Sequence, residues 1–415
     1  MAARAATVSP ARAAAFDVLL RVFEDDAYAD RALRTAAAGL DERDRALAQR
    51  LAYGAVQRVR TLDYAIEELG GRRVARLDAP VRAALRLGAY QLGFVDGVAR
   101  YAAVNESVEL VRGARLERAV AFTNAVLRRL EQGIAGLLEA LPEDAAIEAA
   151  LRHSYPDWVA DTWWRELGPG DARALMRALN EPAATVVRLV RGEIDAEPDA
   201  DVPGAWHVDR VDGVALREGR IWPQSAASQL VGLAVGARDG DRTLDLCAAP
   251  GGKATMLAAE VVAVEVNEGR ARELEETAAR LGAANVHVVV ADGRDLPTEL
   301  TGFDRALVDA PCSGLGVLNR RPDLRWRARP LPELQLDLLR AAAERVRPGG
   351  TIVYSVCTIH AEEGEGVVDL SGLEVDPSFG DEWPRFRHRT RPEFVQTLPH
   401  VHGTAGFFVA RLRVR

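Results

Sequence analysis

Three cysteines, one lysine and a short series of acids are the residues of this 415-residue chain whose positions suggest chemistry. Cys247 lies in LDLCAAPGGK, Cys312 in DAPCSG and Cys357 in YSVCT, each at the end of a short apolar run that reads as a strand. Lys253 is the single lysine beside 52 arginines. An arginine bias of this kind is what a GC-rich genome produces, so Arg alone indicates no function; the one retained lysine is harder to dismiss. TLDLCAAPGGKATMLAAE passes from strand to glycine-rich turn to helix, the place where doubly wound sheets bring backbone N–H groups close to a ligand. The turn lacks the GxGxxG dinucleotide pattern and is further still from a Walker loop, because Lys253 is followed by Ala and the four-residue gap is missing. Glu265 closes the next strand, where its carboxylate can accept both hydroxyl hydrogens of a ribose. Asp292 closes the third strand, where it can hold an adenine amino group. Either acid alone is equally a solvated strand-end carboxylate; two on consecutive strand ends behind such a turn favour an adenosine-containing ligand.

Asp309 and Cys312 end a fourth strand and Cys357 a fifth. If those strands are neighbours, about 4.8 Å apart, two thiols share one edge. Free cysteine is most often core filler, but all three here sit at strand ends on the ligand edge. One reaction needs this arrangement. Carbon 5 of cytosine is a weak nucleophile until a thiolate adds to carbon 6, making an enamine that attacks an electrophilic methyl group. The carbon 5 proton must then leave and the thiolate be expelled, which calls for a nucleophile, an acid near N3 and a base. A thiol of pKa about 8.5 is only a few per cent ionised at neutral pH, yet strongly nucleophilic. The residues alone do not decide which cysteine attacks.

The elements that must position these groups follow a readable rhythm. TLDLC, VVAVEV, NVHVVVAD, DRALVDAP and TIVYSVCT alternate with helical stretches such as EGRARELEETAARLG and LPELQLDLLRAAAERV, predicting an α/β, Rossmann-like doubly wound sheet over residues 223–415. GFFVARLRV adds a terminal strand. Residues 10–140 show helical spacing throughout and no strand-like alternation, so an all-α domain over residues 1–140 is expected. Residues 141–222, from Pro142 on, read as two short helices followed by short β structure, a small α+β subdomain.

Composition narrows the class. The net charge of -8 counts against a general nucleic-acid binder, but residues 1–140 hold 21 Arg against 18 acids, so the negative excess lies downstream. An odd, small number of cysteines without a CxxC pair excludes a disulfide scaffold and a zinc cage and suits a reducing cytoplasm. No apolar run reaches the roughly 18 residues of a membrane helix, so no membrane association is expected. The acid-free opening MAARAATVSPARAAAF resembles a transit leader, but Ser9-Pro10 is better read as a helix cap followed by proline at the first helical position. His400 and His402 lack a suitably spaced third ligand, so no metal is expected. Trp163 and Trp164 read as packing.

DLCAAPGGK, DAPCSG with the following RRPDLRW, and YSVCT together resemble the ribosomal RNA cytosine-5 methyltransferases of the RsmB/NOP family, with four ordered motifs over about residues 220–415. The helical start is similar to the NusB-type RNA-binding domain, a pairing typical of the bacterial RsmB (Sun/Fmu) subfamily that acts on 16S ribosomal RNA. The resemblance is weakest over residues 141–222. It implies S-adenosylmethionine as cofactor, held by Cys247, Ala248, Ala249, Pro250, Gly251, Gly252 and Lys253, with Glu265 on the ribose and Asp292 on the adenine side. It implies that Asp309 lies between donor and cytosine, that Cys357 is the nucleophile, and that Cys312 assists product release. The chain departs from the family pattern at Ser225, Val356, Gly364 and Ala405, none of them a proposed catalytic group. Arg320, Arg321 and Arg325, in a run with Arg327, Arg329 and Trp326, suit phosphate contact and base stacking and are expected to grip the RNA. Arg385, Arg387, Arg389 and Arg391 form a second cluster. No stable protein partner is called for. The rival reading is a non-catalytic RNA-binding factor with a degenerate methyltransferase fold, against which the retained cysteines, Lys253 and acids argue; a nicotinamide oxidoreductase is a distant third.

Overall fold

The computed structural model describes residues 8–415. The leader alternative for the opening run rests largely on Met1–Thr7, which lie outside the described residues. From Pro10 onward the chain is helical: Pro10 is the first residue of the first helix, with Ser9 at its N-cap. Ser9 does not cap through its side chain; its hydroxyl and backbone N–H both donate to Glu106, at 2.7 and 2.8 Å.

The chain divides into two compact units, Met1–Asn180 with Leu318–Arg327, and Glu181–Val317 with Ala328–Arg415. Helices α1 (Pro10–Glu24), α2 (Ala29–Ala36), α3 (Glu42–Gln57), α4 (Val59–Gly70), α5 (Ala79–Phe94), α6 (Arg100–Gly113), α7 (Glu117–Glu139), α8 (Ala146–His153), α9 (Asp157–Leu167) and α10 (Pro169–Ala178) belong to the first. The all-α expectation for residues 10–140 is met, and no described residue there is in a strand. Leu85, Leu87 and Ala89 of α5 are fully buried, as are Leu19, Leu51, Leu62 and Leu130 of the helices that share its core. Burial on nearly every side makes α5 the central helix.

The boundaries read from composition shift. α8, α9 and α10 lie in the helical unit rather than with the strands that follow. Tyr155 and Trp163 are wholly buried and meet edge to face at 5.2 Å between ring centroids, so Trp163 is a packing residue. The β part of the expected subdomain is an antiparallel sheet in the order β2-β3-β1-β4, from β1 (Val186–Leu189), β2 (Glu197–Pro198), β3 (Ala205–His207) and β4 (Ile221–Pro223). It lies in the second unit with helix α11 (Gly213–Arg217).

The main sheet of the second unit uses β5 (Arg242–Leu246), β6 (Glu260–Glu265), β7 (Val286–Val290), β8 (Phe303–Asp309), β9 (Val346–Val356), β10 (Glu374–Val375), β11 (Val395–Thr397) and β12 (Phe407–Arg413). Its order is β10-β12-β9-β8-β5-β6-β7, with β11 beside β12. β5 to β9 run parallel and β12 lies antiparallel to β9. The expected doubly wound sheet is present, with the expected terminal strand β12 beside β9 and β10 at that edge. Helices α12 (Ala226–Ala234) and α13 (Glu268–Leu281) share one apolar layer, to which Leu230 and Leu274 contribute. α15 (Pro332–Arg345) and α16 (Glu365–Ser371) share the other, with Leu338, Leu339 and Val367. The strand order reverses between β5 and β8. Ligands of open α/β sheets settle at the carboxyl end of such a reversal.

Candidate active site

The reversal places the loop after β5 beside the end of β8. In that loop Ala248 N–H donates to Val264 O at 3.0 Å and Gly251 N–H to Ala248 O at 2.8 Å. Arg270 donates to Ala249 O at 2.8 Å. Gly251 adopts φ +98°, and a Cβ there would meet Leu274 Cδ1 at 2.5 Å; the turn needs glycine both for its conformation and for its closeness to α13. Cys247 has φ +63°, unusual for a side-chain-bearing residue.

Lys253 Nζ reaches Asp309 Oδ2 at 2.6 Å, and Ser355 Oγ donates to Asp309 Oδ1 at 2.7 Å. The only lysine is thus spent on the acid that ends β8. Asp245, one strand inward, is 1 % exposed, and neither of its oxygens has a hydrogen-bond partner. Burial, reinforced by Asp309 and opposed by Lys253, holds its carboxyl well above the usual range. Burial first, then Asp245, Glu265 and Asp309, push the Cys247 thiol up to about 12.

Pairing of β8 with β9 sets Asp309 opposite Ser355, so the loops after the two strands leave the sheet side by side. Cys312 Sγ and Cys357 Sγ are 3.3 Å apart, and both residues are partly accessible. The conditional expectation that two sulfurs share this edge is met. Facing Cys357, and burial after it, hold the Cys312 thiol well above its ordinary range.

A buried carboxylate organises the two loops. Glu363 is 0 % exposed. It accepts from Ser313 N–H at 3.0 Å, from Leu331 N–H at 3.0 Å, from Gln335 Nε2 at 2.8 Å and from the Ser313 hydroxyl. Ser313 and Thr358, the residues after each cysteine, share a hydroxyl hydrogen bond of 2.9 Å. Gly316 N–H donates to Cys357 O at 3.0 Å, and Gly406 N–H to Gly316 O at 2.8 Å. A Cβ on Gly316 would meet Gly406 O at 1.9 Å, so the loop bearing the Ala405 departure crosses directly over the Cys312 loop. At Gly364 a Cβ would meet the Phe408 ring at 2.9 Å, so the departure at this position leaves room for an aromatic on β12.

On the cofactor edge Glu265 is 2 % exposed. Its Oε1 accepts from Asn267 N–H at 3.0 Å. Its Oε2 faces Arg270 at 3.4 Å but has no hydrogen-bond partner. Asp292 is half-exposed and held by Arg294, Nη2 to Oδ2 at 2.7 Å and Nε to Oδ1 at 3.0 Å; Arg294 draws its carboxyl down to about 2.

The arginine expectation needs correction. Arg325, in helix α14 (Leu324–Arg327), is 0 % exposed and lies in the helical unit. Its guanidinium donates to Gln57 O at 3.0 Å, Ser154 O at 2.9 Å, Asn180 Oδ1 at 2.9 Å and Tyr155 Oη at 2.9 Å, so it has no surface to offer a phosphate. Arg321 is half-exposed over the Tyr28 ring at 5.3 Å, and Arg320 is half-buried. Trp326 donates to Val56 O at 2.6 Å rather than offering a stacking face. In the second cluster Arg385 pairs with Asp201 at 2.8 Å, Arg387 with Asp381, and Arg391 with Glu393 at 2.6 Å. Asp245 and Glu363 were missed in the sequence. A carboxylate inside an apolar strand is a usable signal for the first; among the acids of HAEEGEG nothing singles out the second.

A family model described as 16S rRNA methyltransferase RsmB/F matches residues 233–413, and one described as NusB family matches residues 9–132. The chain is 38% identical over 397 residues to the ribosomal RNA small subunit methyltransferase B of Thermus thermophilus, covering 92% of each chain. It is 32% identical to a probable ribosomal RNA small subunit methyltransferase B of Synechocystis, over 97% of this chain and 99% of that one. Among solved structures, PH0851 superposes with a TM-score of 0.80 at 23% identity, over 99% of this chain and 100% of that one. NSun6 from Pyrococcus horikoshii with SFG gives a TM-score of 0.56 at 22% identity, over 63% of this chain and 99% of that one. These two likenesses speak for the fold.

Proposed function

Because the chain belongs to the RsmB/F family of 16S ribosomal RNA methyltransferases, we propose that its methyl acceptor is carbon 5 of a cytosine and that Cys357 attacks carbon 6 of the same ring. The coarser activity, S-adenosylmethionine-dependent methylation of ribosomal RNA, follows from the family itself. When bound, S-adenosylmethionine supplies the methyl group as an electrophilic carbon. The residues present suit it. Glu265 keeps one buried oxygen without a hydrogen-bond partner, as an acceptor for ribose hydroxyls requires. The glycines of the Cys247–Lys253 loop leave its backbone approachable, and Asp292 would serve the adenine side.

Cys357 Sγ forms the bond to carbon 6, and the electrons of the 5,6 double bond move to carbon 5. Asp309, fixed by Lys253 and Ser355, would hold the cytosine for this addition. After methylation the carbon 5 proton passes to a base, the carbon–sulfur bond breaks, and its electrons return to the sulfur. Cys312, held as a thiol 3.3 Å from the attacking sulfur, would assist that release. Arg320 and Arg321 would contact the RNA, in the cytoplasm where ribosomal RNA is assembled. The target base must be unstacked to reach the sulfurs.

The single observation behind this reading is the 3.3 Å approach of two thiols beside the Lys253–Asp309 pair. Cys357→Ala should abolish methyl transfer to a 16S transcript. Cys312→Ala should instead accumulate a protein–RNA adduct that survives a denaturing gel. Normal turnover by Cys312→Ala with no adduct would overturn the assignment. Bisulfite sequencing of the modified transcript identifies the base.

A further inference from the structure

The helical unit holds a second basic feature, away from the arginine runs that stand out in the sequence. A groove of about 470 Å³ is lined by Arg72 and Arg76 of the α4–α5 connection, and by Arg115 and Arg118 at the start of α7. All four arginines are exposed, and among the described residues none is paired with a carboxylate. Elsewhere in the same unit Arg128 pairs with Glu131 at 2.9 Å, Arg21 with Asp17 at 2.9 Å and Arg112 with Glu109, while other exposed arginines such as Arg34 and Arg50 stand apart from this groove. In a chain with 61 acids, four guanidinium groups without an ion-pair partner around one cavity repel each other with only partial local compensation. Asp78 and Glu117 also line the groove, so cations exceed acids two to one.

Two more observations fit an anionic ligand. Phe122 lines the groove half-buried, with the Arg72 guanidinium 5.7 Å from its ring centroid, an aromatic and cation pair on which a base can stack. The long helices α5 and α7 both begin here, and neither N-terminus is capped by a side chain. Their first N–H groups add positive potential to that of the arginines.

We infer that this groove binds the phosphate backbone of an unpaired stretch of the ribosomal RNA substrate, with a base against Phe122. The inference rests on the reading of the chain as an RNA methyltransferase and adds to it a docking site for RNA within the helical unit. Four separated guanidinium groups suit a run of phosphates better than a single free phosphate, which one or two would saturate.

The test uses the full chain and a fluorescent 16S transcript. Arg72→Glu with Arg118→Glu should raise the RNA Kd at least tenfold and lower the slope of log K against log salt by about 1.4, near 0.7 per lost contact with single strands. KM for the transcript should rise while kcat at saturating RNA stays near wild type. The neutral pair Arg72→Gln with Arg118→Gln should show the same changes at smaller size, and inorganic phosphate at millimolar concentration should not compete. If wild type binds and methylates the transcript but both variants keep its Kd and salt slope, the groove inference falls and the family chemistry stands. If wild type binds through the groove but cytosine carbon 5 is not methylated, the chemical reading falls and the groove stands. Competition by millimolar phosphate would reassign the groove to a free anion and overturn the RNA assignment.

Discussion

Two thiols 3.3 Å apart cannot both ionise cheaply, because a charge on one sulfur opposes a charge on the other. The partner sulfur first, then burial, hold the Cys312 thiol well above its ordinary range, which accords with the proposal that Cys357 attacks the base. The third cysteine is also held as a thiol, for another reason. Burial first, then Asp245, Glu265 and Asp309, raise the Cys247 thiol to about 12. Cys247→Ala should therefore keep methyl transfer within about threefold of wild type, a cost below 1 kcal/mol, while Cys357→Ala falls to background in a radiolabel transfer assay. A comparable collapse in both variants would break the assignment. Sequence alone puts all three sulfurs at strand ends on one edge and stops there. Which two face each other depends on β8 lying beside β9, and which one is silenced depends on three carboxylates from different strands.

Glu363 acts at the scale of elements, joining the loop after β8 to the start of α15 and the loop after β9. Its two oxygens serve four donors, and an amide in its place presents a donor where an acceptor is needed. Glu363→Gln should lower stability by about 2 kcal/mol in urea unfolding and reduce kcat more than KM for the transcript, because the Cys312 loop loses its seat while the RNA surface is untouched. Unchanged kcat would show that the clamp is only structural. The strands, their order of appearance and the helices between them were legible because parallel strands buried on both faces are continuously apolar. The RRPDLRW segment was not. Its arginine density resembles a solvated RNA-binding loop, yet Arg325 finds acceptors at Gln57, Ser154, Tyr155 and Asn180. Contacts across such sequence separations leave no periodicity to read. Arg325 and Trp326 point inward where charge alone suggests outward.

Across the whole molecule the division into units follows packing rather than composition. Pro142 and the acids after it suggested a boundary, but α8 to α10 stay with the helices that precede them. In that helical unit sits a group sensitive to acid. His153 ends α8, is 7% exposed, and has Nε2 2.7 Å from Glu143 Oε2. Burial, opposed by Glu143, pushes its pKa down to about 4, against about 6.5 in an unfolded chain. Between pH 6.5 and 4 the unfolded state therefore binds a proton that the folded state refuses, so stability rises with pH across this window and is lost on acidification. The difference amounts to about 3 kcal/mol by the lower end. Glu143 continues the trend below pH 4.5, since against its own burial the His153 hydrogen bond and Arg177 lower its pKa. The second unit holds an opposite case in Asp245, whose raised pKa favours the fold at low pH and costs stability as pH rises. In thermal unfolding of the full chain the contribution of the helical unit should accordingly drop between pH 6.5 and 4.5. His153→Gln, which keeps a donor toward Glu143 without a titratable ring, should flatten that drop. Equal pH dependence in wild type and variant would place the acid sensitivity elsewhere, whereas a flattened response would tie it to one buried imidazole at the end of α8.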